Sequence, residues 1–216
     1  MTHKRKTLFC AGGFLFCTVL FGTYMTRSRR PNAEPVITAA EIAPSLKDGD
    51  IICRMGDRFW SVHFRNLSPA DKQFSHLGIV RVRDGNLSVI HAASWTERQD
   101  GVNEVPLEEF LQPALAVGIY RPNFIDGAVL SDAVLEYKGR LFDWNFDHND
   151  ESKLYCTELL HVILKRLAPE ITLKTTHVTL LGKEIIPLDA VSRSEDFEEI
   201  LVVAPRSSGR QIALAE

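Results

Sequence analysis

The sequence predicts an α+β domain, an antiparallel sheet packed against a cysteine-bearing helix, behind an N-terminal membrane-spanning segment. Three observations carry this. Strand-like runs at "SHLGIVRV" and "LSVIHAA" are joined through Asp84-Gly85 without a helical crossover, which suits antiparallel pairing and not a doubly wound parallel sheet. "ESKLYCTELLHVILKRL" places Cys156, Leu160, Ile163, Leu164 and Leu167 on one helical stripe. An uncharged, mostly apolar run from Leu8 to Met25 is bracketed by Lys4, Arg5 and Lys6 and by Arg27, Arg29 and Arg30.

That run approaches the ~20 residues a helix needs to cross a bilayer, and it exceeds the core of a cleaved signal, about 7 to 15 residues. No small-x-small cleavage site follows directly, and no small residue precedes Cys17 as a lipoprotein signal requires. Residues 1–26 are therefore expected to form a signal-anchor, and a cleaved segment would make the protein secreted. Basic residues balance across the run, so the positive-inside rule assigns no orientation. Export of the domain to the periplasmic or extracellular side is the expectation. Residues 27–40, with Pro31 and Pro35, read as a tether, residues 41–205 as the folded domain, and residues 206–216 as a flexible tail.

Within the domain, strands are expected at "DIICRM", "SHLGIVRV", "LSVIHAA", "ALAVGIYR" and "EILVVAP", and helices near "PLEEFLQ", "AVLSDAVLEYKG", "KLYCTELLHVILKRL" and "PLDAVSRS". A chain of 216 residues with a net charge of -3 has one core and no positive field for a nucleic-acid backbone, so no nucleic-acid partner is expected. Cys10 and Cys17 lie in the apolar run, which leaves Cys53 and Cys156 in the domain. Two cysteines are no disulfide framework, and CxxC pairs of a structural zinc site are lacking.

Asp84-Gly85 is the pair that a two-residue type I′ hairpin prefers, because both positions need positive φ. That turn sets Val80 opposite Val89, Gly78 opposite His91 and His76 opposite Ala93. His76 and His91 then become diagonal neighbours on one face, beside the small Gly78 and Ala93, where a second element could approach closely. A lone histidine here would read as a satisfied core residue. Two sharing one face read as a site.

The helix stripe turns Cys156 inward. Asp147, Asn149, Asp150 and Ser152 precede it as candidate caps and place the cysteine in the first turn or two, where the helix dipole and free N–H groups favour a thiolate nucleophile.

"GDIICRM", "FSHLGIV", "VIHAAS" and "YCTELL", in that order, resemble the permuted papain-like amidases of the YiiX/YaeF type, relatives of the NlpC-type cysteine hydrolases. The likeness runs from about Leu46 to Val203 and includes "IIPLDAVSRSEDFEEILVV", similar to the family's closing proline, short helix and last strand. The resemblance implies a circularly permuted papain-like fold, with the histidine motif ahead of the cysteine motif. It makes Cys156 the nucleophile, His76 its general base, and His91 the polar third member that orients His76. The Cys156 N–H is a candidate oxyanion donor, with Tyr155 a possible helper. The implied reaction is acyl transfer on a peptide, amide or lipid-ester carbonyl, and it requires no cofactor.

"LFDWNFD" alternates Phe142, Trp144 and Phe146 with polar residues, so an extended segment would show an aromatic face. Trp144 and Phe146 are candidate substrate-cleft residues, with capping of the core as the other reading. Helical geometry turns Glu158 away from the Cys156 face, as a structural or solvated residue. Cys53 alternates with Ile51 and Met55 and reads as a small core residue; in an oxidising compartment a Cys53-Cys156 disulfide would block the nucleophile. His63, His148, His161 and His177 show no partner in the sequence. Rival readings are a zinc site on His76, His91 and Cys156, a catalytically silent membrane-tethered binding module, and a lipid-directed thiol acyltransferase or esterase.

Overall fold

The computed structural model describes residues 35–94, 100–112, 114–179, 181–206 and 209–214. Its main sheet is built from β1 (Ile51–Gly56), β2 (His76–Arg83), β3 (Asn86–Ala93), β4 (Gly101–Pro106), β5 (Ala114–Pro122), β8 (Phe197–Arg206) and β9 (Gly209–Leu214). These strands lie in the order β4-β3-β2-β1-β5-β8-β9, every neighbour antiparallel. β6 (Thr176–Val178) and β7 (Lys183–Ile185) form a separate ribbon. The helices are α1 (Ala39–Ile42), α2 (Phe59–Arg65), α3 (Leu107–Leu111), α4 (Gly127–Ala133), α5 (Cys156–Leu167) and α6 (Asp189–Ser192).

The two faces of the sheet carry two cores. Ile51, Cys53, Met55, Leu77, Ile79 and Ile90 pack with α5 through Cys156, Leu159, Leu160 and Ile163. Ile52, Val80, Val89, Val117 and Ile119 pack on the other side with Ile42 of α1 and Leu107, Phe110 and Leu111 of α3. This explains why "IIC" carries no polar residue: β1 sits in mid-sheet, and a strand covered on both faces gains from apolar side chains in both directions.

The hairpin forms as the turn chemistry dictates. Asp84 and Gly85 have φ of 52° and 78°, and pairing runs from Arg83–Asn86 through Val80–Val89 to Ile79–Ile90. Beyond Ile79 the recorded ladder between β2 and β3 stops. A Cβ at Gly78 would overlap a Val89 methyl and stand 3.1 Å from the His91 Cβ, so glycine is what lets the two strands close there.

"GD" at the entry to β1 has two distinct tasks. Asp50, 1% exposed, takes the Nε and Nη2 of Arg121 at 2.8 Å each, a bidentate pair that joins β5 to the turn before β1. Gly49 has φ of 79°, and a Cβ there would overlap the backbone of Gly127. Gly49→Ala should therefore cost about 3 kcal/mol, combining left-handed strain with overpacking. Urea unfolding of the two proteins measures this; a loss within about 0.5 kcal/mol would mean the turn relaxes freely.

Several expectations need correction. The fold begins before residue 41: Val36 N–H donates to Ala114, Ile37 and Ala39 are buried, and α1 is capped by Thr38 with Glu41. The end of the chain is not all tail, because Gly209–Leu214 pairs along β8 as β9. Sequence periodicity misses this strand, whose backbone pairing completes an otherwise open edge. Asp147, Asn149, Asp150 and Ser152 do not cap α5. Asp147 and Asp150 instead accept the N–H of Asn149 and Ser152, folding the preceding loop into short turns. The expected membrane-spanning segment lies outside the described residues, and among those described no helix is long and apolar enough to cross a membrane.

Candidate active site

β2 starts at His76, and Ser75 fixes that start: its N–H donates to the Arg54 carbonyl at 2.9 Å, and its Oγ accepts from Gly56 N–H at 3.1 Å. His76 and His91 then meet as the hairpin register requires. His76 Nε2 and His91 Nδ1 stand 2.7 Å apart, with ring centroids 5.0 Å apart and the rings at 72°. One hydrogen is shared between these nitrogens. His76 Nδ1 has no hydrogen-bond partner among the described residues.

The element that docks on the imidazole face is α3, through one ring. Phe110 stacks on His76 at 5.8 Å and meets His91 edge-on at 5.3 Å. Burial first, then the Arg54 guanidinium and then His91, hold His76 well below its ordinary 6.5. Burial and Arg54 hold His91 down to about 3. Both rings are neutral at pH 7, so His76 is in the form that accepts a proton.

Cys156 approaches from the opposite core. It is the first residue of α5 and 7% exposed, in one core cluster with Leu77. Leu77 follows His76 directly, beyond the last β2–β3 pair, Ile79–Ile90. No hydrogen bond joins the thiol to either imidazole among the described residues. Burial pushes the thiol up to about 11, against the lowering effect of backbone N–H groups and of Arg54. The helix start was expected to favour the thiolate; here desolvation outweighs the N–H groups, and the thiol rests protonated. Cys53 and Cys156 are both free and buried, so no disulfide joins them.

Arg54 is the functional candidate that sequence reasoning missed. It lies across from His76 in the β1–β2 pairing, and its guanidinium stands over the Phe110 ring at 4.4 Å while donating to the Phe110 carbonyl. The signal was available. In "IICRM" alternation puts Arg54 on the face of Ile52, where a core strand would carry another apolar residue.

The remaining candidates divide. The Tyr155 hydroxyl accepts the Ile186 N–H at 3.0 Å and bonds His148 Nε2 at 2.6 Å, so it pins the loops flanking α5 and is not turned to an oxyanion. Residues 142–146 do not form an aromatic face on an extended strand: Phe142 is buried against Trp144, while Phe146, at a φ of 52°, packs on Tyr155 and Phe64. Trp144 is 45% exposed. Glu158 is turned from the thiol but is buried and not solvated. Its Oε2 accepts Tyr155 N–H at 3.3 Å, its Oε1 is without a partner, and burial pushes its carboxyl up to about 8. Of the histidines without a sequence-visible partner, His148 holds Tyr155 and His177 holds Glu184.

Residues 45–211 match a family model described as permuted papain-like amidase enzyme, YaeF/YiiX, C92 family. A solved structure, the metalloprotein yiiX from Escherichia coli O157:H7, is similar with a TM-score of 0.63 and 15% sequence identity, over 74% of this chain and 99% of that one. At that identity the likeness concerns the fold. No curated protein matches.

Proposed function

The chain belongs to the permuted papain-like amidase family, YaeF/YiiX, C92, and from that premise we propose that it hydrolyses amide bonds through a Cys156 thioester with His76 as base and His91 as its orienting partner. That it is a cysteine amidase or peptidase-type hydrolase follows from the family. The observation supporting this assignment of roles is the convergence at the start of β2, where Leu77 packs in one buried cluster with Cys156 and the preceding residue, His76, is held by His91 at 2.7 Å.

With His76 Nε2 committed to His91, Nδ1 is the nitrogen that takes the thiol proton. Proton transfer requires the thiol and imidazole to come within hydrogen-bond reach in the substrate complex. Sulfur then bonds to the carbonyl carbon, and the oxygen charge falls among N–H donors now directed at the sulfur, those of Cys156 and Thr157. The proton on Nδ1 goes to the leaving nitrogen, the C–N bond breaks, and an acyl thioester remains. Water, giving its proton to the same nitrogen, cleaves the thioester and restores the thiol. While Nδ1 carries the proton, His76 donates Nε2–H to the neutral His91 Nδ1, which stabilises the imidazolium.

The substrates proposed are peptide amides, those of the cell wall included, with the domain anchored through residues 1–26 on the exported side of a membrane. A metal-dependent reading fits less well. His76 Nε2 and His91 Nδ1 are spent on each other, and the described residues contain no group of three His, Cys, Asp or Glu side chains arranged to hold an ion.

Acid-quenched mixtures of the full chain with peptide amides, aminoacyl amides and lipid esters should show an acyl adduct on Cys156 by intact and peptide mass, released by hydroxylamine. Turnover that never labels Cys156 and stops with chelator would refute the thioester route.

A further inference from the structure

Among the described residues Arg54 has no counter-ion. No carboxylate lies within ion-pair distance of it among the described residues, and Asp57 acts on it only at longer range, opposed by Arg58. Burial pulls the guanidinium down to about 10, so it stays charged at neutral pH. Its hydrogen bonding is also unfinished: Nη1 is used by the Phe110 carbonyl, Nε is buried without an acceptor, and Nη2 has no partner and is not among the buried orphans. Two other arginines of this sheet differ. Arg121 spends its Nε and Nη2 on the buried Asp50, and Arg81 lies 3.8 Å from Glu104. A desolvated charge that lacks a partner is costly, and a fold that retains one beside the imidazole pair suits an anion from outside.

The guanidinium lies across the β1–β2 pairing from His76 and is clamped by the ring and carbonyl of Phe110, the same ring that packs on His76 and His91. Both histidines are neutral, which leaves Arg54 as the fixed positive charge at the imidazole pair. We propose that Arg54 receives a carboxylate of the substrate beside the scissile bond, so that preferred substrates are amides or esters carrying a free carboxylate close to the carbonyl under attack. This substrate class rests on the reading of Cys156 as the nucleophile. A guanidinium suits the task because its planar donors match a carboxylate and its charge does not titrate in the working range.

Alkylation of Cys156 tests the idea without turnover. Iodoacetate and iodoacetamide both lose iodide to the same thiolate, so the ratio of their rate constants cancels the thiolate fraction and reports only the carboxylate's reception. Rates are read at Cys156 by peptide mapping on the full chain, with N-acetylcysteine amide as the free-thiol reference. The iodoacetate to iodoacetamide ratio should exceed the reference by about 10-fold, the size expected for one opposite charge at close range in a partly dry site. Arg54→Gln should return it to the reference, and Arg54→Lys should keep part of the excess. A wild-type ratio at or below the reference overturns the proposal, and needs no variant to fold. A ratio unchanged in Arg54→Gln overturns it too, even where that variant loses all hydrolysis, since an oxyanion role would slow every substrate without sorting the two reagents. Failure of the hydrolase reading looks different: turnover survives Cys156→Ala whatever the alkylation ratio shows.

Discussion

Cys156→Ala is expected to lose about 10⁴-fold or more in kcat on any amide the wild type cleaves, while melting and circular dichroism stay those of the folded chain. The reason is the absence of a substitute nucleophile nearby. The Thr157 hydroxyl donates to the Ile186 carbonyl at 2.6 Å, and the Ser75 hydroxyl is held between the Gly56 N–H and the Arg54 carbonyl. Cys156→Ser should be as inactive, because a neutral imidazole cannot readily deprotonate an alcohol placed for a thiol. Removing one sulfur from a 7% exposed position should cost about 1 kcal/mol, small enough to separate chemistry from unfolding. Steady-state hydrolysis with parallel thermal melts measures both, and a variant retaining even a tenth of the wild-type rate would remove sulfur from the mechanism.

His76→Ala should lower kcat/KM by about 10³-fold, the usual worth of a positioned base. The wild-type pH profile carries a sharper expectation. The active free enzyme has a neutral imidazole, and His76 is held well below 6.5, so its proton is already lost at pH 7. With the thiol near 11, thiol and imidazole are both neutral across the physiological range. The profile of kcat/KM should therefore have one acid limb, lying well below pH 6.5, where His76 binds a proton. It should then run level from pH 7 to 9. An enzyme resting as thiolate and imidazolium would instead decline as the imidazolium lost its proton in the alkaline range. A fall between pH 7 and 9 would show that the ion pair is the resting state and that burial does not set these protonation states.

The site was legible in the sequence to the extent that local rules fix geometry. Asp84-Gly85 demands two positive φ angles, that turn fixes the register, and the register puts His76 and His91 in contact. A helical stripe likewise turned Cys156 inward. Arg54 went unread because alternation was followed on the Ile51, Cys53 and Met55 face alone. The partners of Tyr155, Ile186 and His148, were not legible because they come from a distant segment and from an irregular loop. The candidate caps before α5 were misassigned for a related reason. Asp and Asn serve turns as well as helix starts, and only the path of the loop selects between them.

Residue spacing by itself determined the antiparallel hairpin, the two histidines on one face and the inward cysteine, because backbone dihedral limits and the periods of strand and helix act over a few residues. Tertiary structure alone decided that α5 packs on the face opposite the histidines, that Cys156 joins Leu77 in that core just beyond the end of the β2–β3 ladder, and that Arg54 and Phe110 close over the imidazoles. Protonation followed from that packing: desolvation depends on what surrounds a group in space, and no local pattern in the chain encodes it.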